Sequence, residues 1–269
     1  MTELNPTFKN DILFKLLFTK HPESLQRLVA RLLGIQPDAI TSFDIKNSEM
    51  PPEMIGKKFS RLDIVMMVNN QQIDLEVQVE NKGDYPARAM YHWARLYSNA
   101  LPVRGKYSDL PRTIIISIIN FTLYDCAEFH SEFQALEVTR HTLMSDKMAF
   151  HFFELPKLPD SVDGNNLLLM WLALFKADTK EELEKIESLG VSELNQAINA
   201  YHSVAASEEF RELERMRAKA EHDEAQALHD ERCKIAKKLL AIDLPIEKII
   251  EATELTQEEI EKLRANLKN

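Results

Sequence analysis

Hydrophobic positions recur along this chain in two rhythms, and the places where one gives way to the other mark its elements. In residues 7–33, Ile12, Leu13, Leu16 and Leu17, then Leu25, Leu28, Val29, Leu32 and Leu33, recur at helical spacing. His21-Pro22 divides this stretch into two helices, and Gly34 is a natural stop. Residues 39–48 suit a first strand, and 49–56, with Pro51-Pro52, a loop. From 61 to 81 the rhythm becomes that of a hairpin. One apolar strand (Leu62, Ile64, Val65, Met66, Met67, Val68) meets a polar turn at Asn69-Asn70-Gln71. In the second strand Leu75, Val77 and Val79 face one way while Glu76, Gln78 and Glu80 face the other. A helix follows over about 87–101, then a β-branched strand at 112–119 and strand candidates at 132–142 and 148–155.

Beyond Asn165 the pattern is helical throughout, with no Gly or Pro between Gly190 and Pro245. Residues 208–232 mix both charge signs around a thin apolar stripe and predict a long exposed helix, a candidate pairing surface between subunits. In 235–267, Leu239, Leu240, Ile246, Ile249, Ile250, Leu255, Ile260 and Leu263 can form the small core of a helix-turn-helix-like tail, and Thr256 to Glu259 is a capping box. Glu258 and Glu259 stand where a DNA-reading helix would carry basic or amide groups, which favours a structural or protein-contact role. The expected organisation is an α/β domain over 1–160, a helical extension over 161–234 and the tail over 235–269.

Chemistry concentrates in the hairpin. If it pairs about a point between Asn69 and Asn70, Asp63 and Glu76 are direct cross-strand neighbours. Two adjacent carboxylates repel unless a proton or cation lies between them. Glu76, Gln78 and Glu80 alone also fit a solvated strand face; Asp63, in an apolar run, fits that reading less well. On the following helix Arg88, Tyr91, His92 and Arg95 share one side, either a solvated face or a line of phosphate contacts. Asp11 and Lys15, four apart, are either a surface ion pair or a functional pair with Asp11 leaning toward the hairpin. His130, His141 and His151 show no metal-ligand spacing and read as core or surface residues.

Composition narrows these options. The 269 residues are 45% hydrophobic and 28% charged, as in a folded soluble protein. No apolar run approaches the ~20 residues of a membrane span, and the first residues lack signal-peptide features. Cys126 and Cys233 are far apart in sequence and read as free thiols, hence a cytoplasmic location. A net charge of −10 argues against bulk coating of nucleic acid but permits a local basic groove. With six glycines and no glycine-rich phosphate loop, P-loop and Rossmann nucleotide enzymes are disfavoured.

Asn10 to Phe18, Arg61-Leu62-Asp63, Leu75-Glu76-Val77-Gln78, the helix from Arg88 to Tyr97, and Phe153-Glu154-Leu155-Pro156-Lys157 together resemble the PD-(D/E)XK nuclease superfamily, in its recombination-promoting nuclease (Rpn) and transposase branch. The resemblance implies a restriction-endonuclease-like mixed sheet flanked by helices and a Mg2+-dependent DNA endonuclease, with Mn2+ as a substitute metal. It implies that Asp63, Glu76 and the Val77 carbonyl hold the metal; the candidate catalytic set adds Gln78, Asp11 and Lys15, and Arg88, Tyr91 and Arg95 are the candidate DNA contacts. Gln78 departs from the lysine usual two residues after the second acid, and Leu62 from the usual proline. Gln78 can orient a water but carries no charge. The expected role is in recombination, mobile-element or phage-defence processes, as a homodimer through the C-terminal helices. The alternative is an inactive nuclease fold kept for DNA or protein binding.

Overall fold

The computed structural model describes residues 2–46, 64–81, 83–159 and 164–267, and resolves into two compact units, one ending at Arg211 and one whose described part begins at Glu212. In the first unit, α1 (Asp11–Lys20) and α2 (Pro22–Leu32) break at His21-Pro22, as the periodicity predicts. Proline lacks the N–H that would continue α1 and is preorganised to start α2. The Asn10 side chain accepts from Leu13 N–H at 2.8 Å, a cap worth about 1 kcal/mol. Gly34, at φ +67°, ends the pair in the left-handed conformation that glycine adopts without strain.

Helix α1 is buried from Ile12 through Phe18 and is therefore a core helix. Three later helices, α4 (Leu167–Lys176), α5 (Lys180–Glu187) and α6 (Ser192–Ala205), belong to the same unit. Phe8, Phe14, Phe18, Trp171 and Phe175 form an aromatic cluster joining α4 to α1, with neighbouring ring centroids 5.2 to 6.5 Å apart. Arg31 grips Glu193 with two nitrogens at 3.2 and 2.9 Å, and Trp171 Nε1 donates to the same carboxylate at 2.9 Å. That bidentate pair ties α2, α4 and α6 together.

The sheet is mixed, in the order β1-β2-β3-β4-β6-β5. Its strands are β1 (Phe43–Ile45), β2 (Ile64–Val68), β3 (Gln71–Gln78), β4 (Thr113–Ile119), β5 (His130–Leu136) and β6 (Leu143–Glu154). Helix α3 (Tyr85–Asn99) carries the chain from β3 to the parallel strand β4. It begins two residues earlier than the sequence suggests, because Pro86 sits in its first turn. The hairpin turn is two residues, Asn69 and Asn70, with φ of +48° and +62°. Positive φ at both positions matches the right-handed twist of the flanking strands. Asn69 is locked from outside: its Oδ1 accepts from Thr41 N–H at 2.8 Å, and its Nδ2 donates to Ala39 C=O at 2.7 Å. Every described β2–β3 pair, from Ile64↔Leu75 to Val68↔Gln71, is centred between Asn69 and Asn70, the register the sequence pattern implies.

Strand β4 is central and buried on both faces, as its β-branched run predicts. One face of the sheet carries Asp74, Glu76 and Gln78 of β3, Thr113, Ile115, Ser117 and Ile119 of β4, and Phe150, Phe152 and Glu154 of β6. Helix α3 covers its apolar part, with Tyr85, Ala89, Trp93 and Leu96 packed against Ile115, Ile119, Phe150 and Phe152.

The second unit takes most of the long helix α7 (Glu208–Ala241), with α8 (Ile246–Thr253) and α9 (Gln257–Leu267). Its core is Ala236, Ile249, Leu255 and Ile260, flanked by Leu239, Leu240, Ile246, Ile250 and Leu263. The Thr256–Glu259 capping box forms: Thr256 N–H donates to the Glu259 carboxylate at 2.8 Å, and Glu259 N–H to Thr256 Oγ1 at 3.3 Å.

Candidate active site

Glu76 sits in the second half of β3 and is 5% exposed. A carboxylate this far from water needs partners that favour its charged form. Two come from the first turn of α3. Tyr85 Oη donates to Glu76 Oε1 at 2.5 Å, and Arg88 Nη2 approaches Oε2 at 3.5 Å. Tyr85 is itself 2% exposed, held edge-on by Phe121 and Phe152 with centroids at 5.7 and 6.1 Å. Burial, and then the neighbouring Glu76 charge, hold the Tyr85 hydroxyl well above its usual pKa, so it remains a donor. The Arg88 guanidinium also lies 6.0 Å from the Tyr85 ring centroid, and its side chain is 40% exposed. Residues one helical turn apart on α3 thus converge on one acid of β3.

Beside Glu76, in register on β4, is Ser117, whose buried Oγ makes no hydrogen bond of ordinary geometry among the described residues. Two residues before Glu76 on the same face is Asp74, 1% exposed, between Val65 and Ile115 in the sheet. Gln78, at the end of β3, is half-buried and donates through Nε2 to Glu80 C=O at 3.1 Å. Val77 faces the opposite side of the sheet from these polar residues and pairs with Ile118.

The remaining sequence candidates scatter more widely. Asp63 lies outside the described residues. Tyr91 and Arg95 are exposed on the outer side of α3, beyond Arg88. Asp11 opens α1, where its Oδ1 accepts from Ile12 N–H at 2.9 Å. Lys15 is 1% exposed, so it is a buried residue rather than a surface one. The chemistry of the described donors fits a hard divalent cation. Glu76 is a buried oxygen donor in contact with the partly exposed Arg88 side chain at 3.5 Å, and a buried hydroxyl, that of Ser117, lies next to it. Among the described residues, no group of three or more His, Cys, Asp or Glu is assembled that could hold a metal.

Two residues of this centre escaped the sequence pattern. Asp74 belongs to the same period-two series as Glu76 and Gln78, but a strand start placed at Leu75 hides it. Tyr85 is three residues before Arg88 on one helix face, a relationship visible only once α3 starts at Tyr85.

A third buried acid on this face has a different task. Glu154, 0% exposed at the end of β6, accepts from Leu123 N–H at 2.7 Å and from Lys157 Nζ at 2.8 Å. Lys157 also donates to Tyr124 C=O at 2.7 Å. The pair therefore fixes the loop after β4 and accounts for the Phe153 to Lys157 motif structurally. His130 Nε2 and His151 Nδ1 lie 3.1 Å apart, and His130 stacks on Phe153 at 4.3 Å, consistent with core packing.

A family model described as "PD-(D/E)XK nuclease family transposase" matches residues 8–231. No curated protein and no solved structure matches the chain.

Proposed function

The chain belongs to the PD-(D/E)XK nuclease family transposases, and from that premise we propose that it is a Mg2+-dependent endonuclease hydrolysing DNA phosphodiester bonds. Nucleases of this family generally use divalent metals. The observation that supports the reading best is Glu76, a buried carboxylate on a hairpin of the expected register, gripped by Tyr85 and Arg88. Asp63, placed opposite Glu76 by the sequence pattern, would hold Mg2+ together with Glu76 and the Val77 carbonyl, and Mn2+ would substitute.

A metal held there by Asp63, Glu76 and the Val77 carbonyl would supply polarisation of the scissile phosphate and a lower pKa for an attacking water. Tyr85 fixes the orientation of the Glu76 carboxylate. Gln78 orients the water through its amide but adds no charge, so Arg88 and Lys15 supply positive field, with Asp11 supporting the centre. Tyr91 and Arg95 hold backbone phosphates along α3. Pairing of two chains through the C-terminal helices would bring two centres to opposite strands. The process served is recombination, mobile-element movement or phage defence, in the cytoplasm; no helix among the described residues is long and apolar enough to cross a membrane.

Plasmid nicking in Mg2+ is expected to vanish in Asp63→Ala and in Glu76→Ala, and cleavage that survives both substitutions overturns the reading. A second reading, a nuclease fold retained for binding, draws on Gln78, whose amide is engaged with the Glu80 carbonyl. It requires DNA binding without metal-dependent turnover and no calorimetric Mn2+ signal that depends on Asp63.

A further inference from the structure

Residues 85–108 contain no Asp or Glu, yet they carry Arg88, Arg95, Arg104 and Lys106 in a chain of net charge −10. The last two stand on a tight turn that follows α3. Gly105 N–H donates to Pro102 C=O at 2.8 Å, and a β-carbon at Gly105 would come within 2.8 Å of the Pro102 ring. Arg104 is held at φ +68°, a conformation that costs a residue with a side chain. Lys106 N–H then donates to Asp109 Oδ2 at 3.2 Å. Leu110, buried at 6% exposure, anchors the far end, its carbonyl accepting from Lys147 Nζ at 2.7 Å.

The turn is thus built and tied, yet what it presents is unusual for a solvated loop. Val103 is 95% exposed and Tyr107 82% exposed, and they interleave with Arg104 and Lys106, neither of which forms an ion pair among the described residues. Cations with no ion-pair partner among the described residues, set beside exposed apolar and aromatic groups, complement a polyanion with flat bases and sugars. From Arg88 to the end of α3 is about 16 Å at 1.5 Å per residue, so the turn lies roughly half a turn of duplex away from Arg88, which contacts Glu76.

We propose that the turn of residues 102–107 is a second duplex-DNA contact, with Arg104 and Lys106 on backbone phosphates and Val103 and Tyr107 against the sugar edge. It rests on the nuclease reading and extends the DNA track beyond Arg88, Tyr91 and Arg95.

The test is fluorescence anisotropy of a labelled 30-base-pair duplex with the full chain, without divalent metal, from 50 to 200 mM salt. The Arg104→Ala/Lys106→Ala variant is expected to bind more weakly. Its slope of log K against log salt should be shallower by about 1.8, two phosphate contacts at 0.9 each. Tyr107→Ala should weaken binding without changing the slope. Arg104→Gly, which removes the charge and relaxes the backbone, should weaken binding while the melting temperature holds or rises, separating lost contact from lost fold. A double variant that matches a DNA-binding wild type in affinity and slope overturns the turn contact and leaves the nuclease reading standing. A wild type that does not bind the duplex overturns both.

Discussion

Tyr85, the first residue of α3, donates its hydroxyl to Oε1 of Glu76 across 2.5 Å. The crossover helix and the acidic strand are therefore joined at the atom pair on which the proposed chemistry depends. Tyr85→Phe keeps the ring against Phe121 and Phe152 and removes only the donor. We expect stability to fall by about 1–3 kcal/mol in urea melts and Mg2+-dependent nicking to fall at least ~10-fold, equivalent to 1.4 kcal/mol. Unchanged melting together with unchanged nicking would show that the bond does no orienting.

Gln78 ends β3 in a half-exposed position, so a charged replacement pays little desolvation there. Gln78→Lys is expected to retain nicking. Gln78→Ala is expected to lose about 10²-fold, the scale of removing one preorganised donor. An alanine variant as fast as wild type would remove Gln78 from the mechanism.

Glu154 and Lys157 make a buried pair whose role is tested by breaking it from one side. Lys157→Met strands a carboxylate that is 0% exposed and should cost about 3–5 kcal/mol. Adding Glu154→Gln should return much of that loss. A double-mutant cycle with no coupling energy would contradict the assignment.

His151 gives the fold a pH dependence. Burial pushes its imidazole down to about 4, with His130 and Arg112 also lowering it and Glu132 opposing. The unfolded chain, with a His pKa near 6.5, then binds a proton that the folded chain does not. Stability contributed by neutral His151 is complete above about pH 6.5 and is lost as pH falls toward 4, by at most ~3 kcal/mol. His151→Phe should flatten the melting profile between those pH values; an equally steep profile would place the titration elsewhere.

Much of this architecture is written in side-chain rhythm. The break at His21-Pro22, the register of the hairpin about Asn69 and Asn70, the burial of β4 on both faces and the core of the second unit all follow from spacing, because periodicity records which side of an element meets the interior. What spacing does not record is which partner a polar group finds there. Tyr85 and Glu76 are nine residues apart on different elements, and nothing in the alternation of β3 says that a phenol will meet the acid. Asp74 is missed for a related reason: burial of an acid contradicts the hydrophobic rule used to locate the strand. Lys15 follows the helical period of an apolar stripe, and its burial reflects tertiary packing rather than local pattern.

The lock on Asn69 bears on how the chain avoids error while it folds. A hairpin slipped by one residue would turn Asp74, Glu76 and Gln78 onto the face now filled by Ile73, Leu75 and Val77, far from Tyr85 and Arg88. Each misplaced carboxylate would be stripped of water with nothing to replace it, at a cost of several kcal/mol. The wrong hairpin is thus penalised by the residues that make the right one useful. Because Thr41 and Ala39 fix Asn69 from outside the hairpin, that proofreading needs neither metal nor DNA to operate.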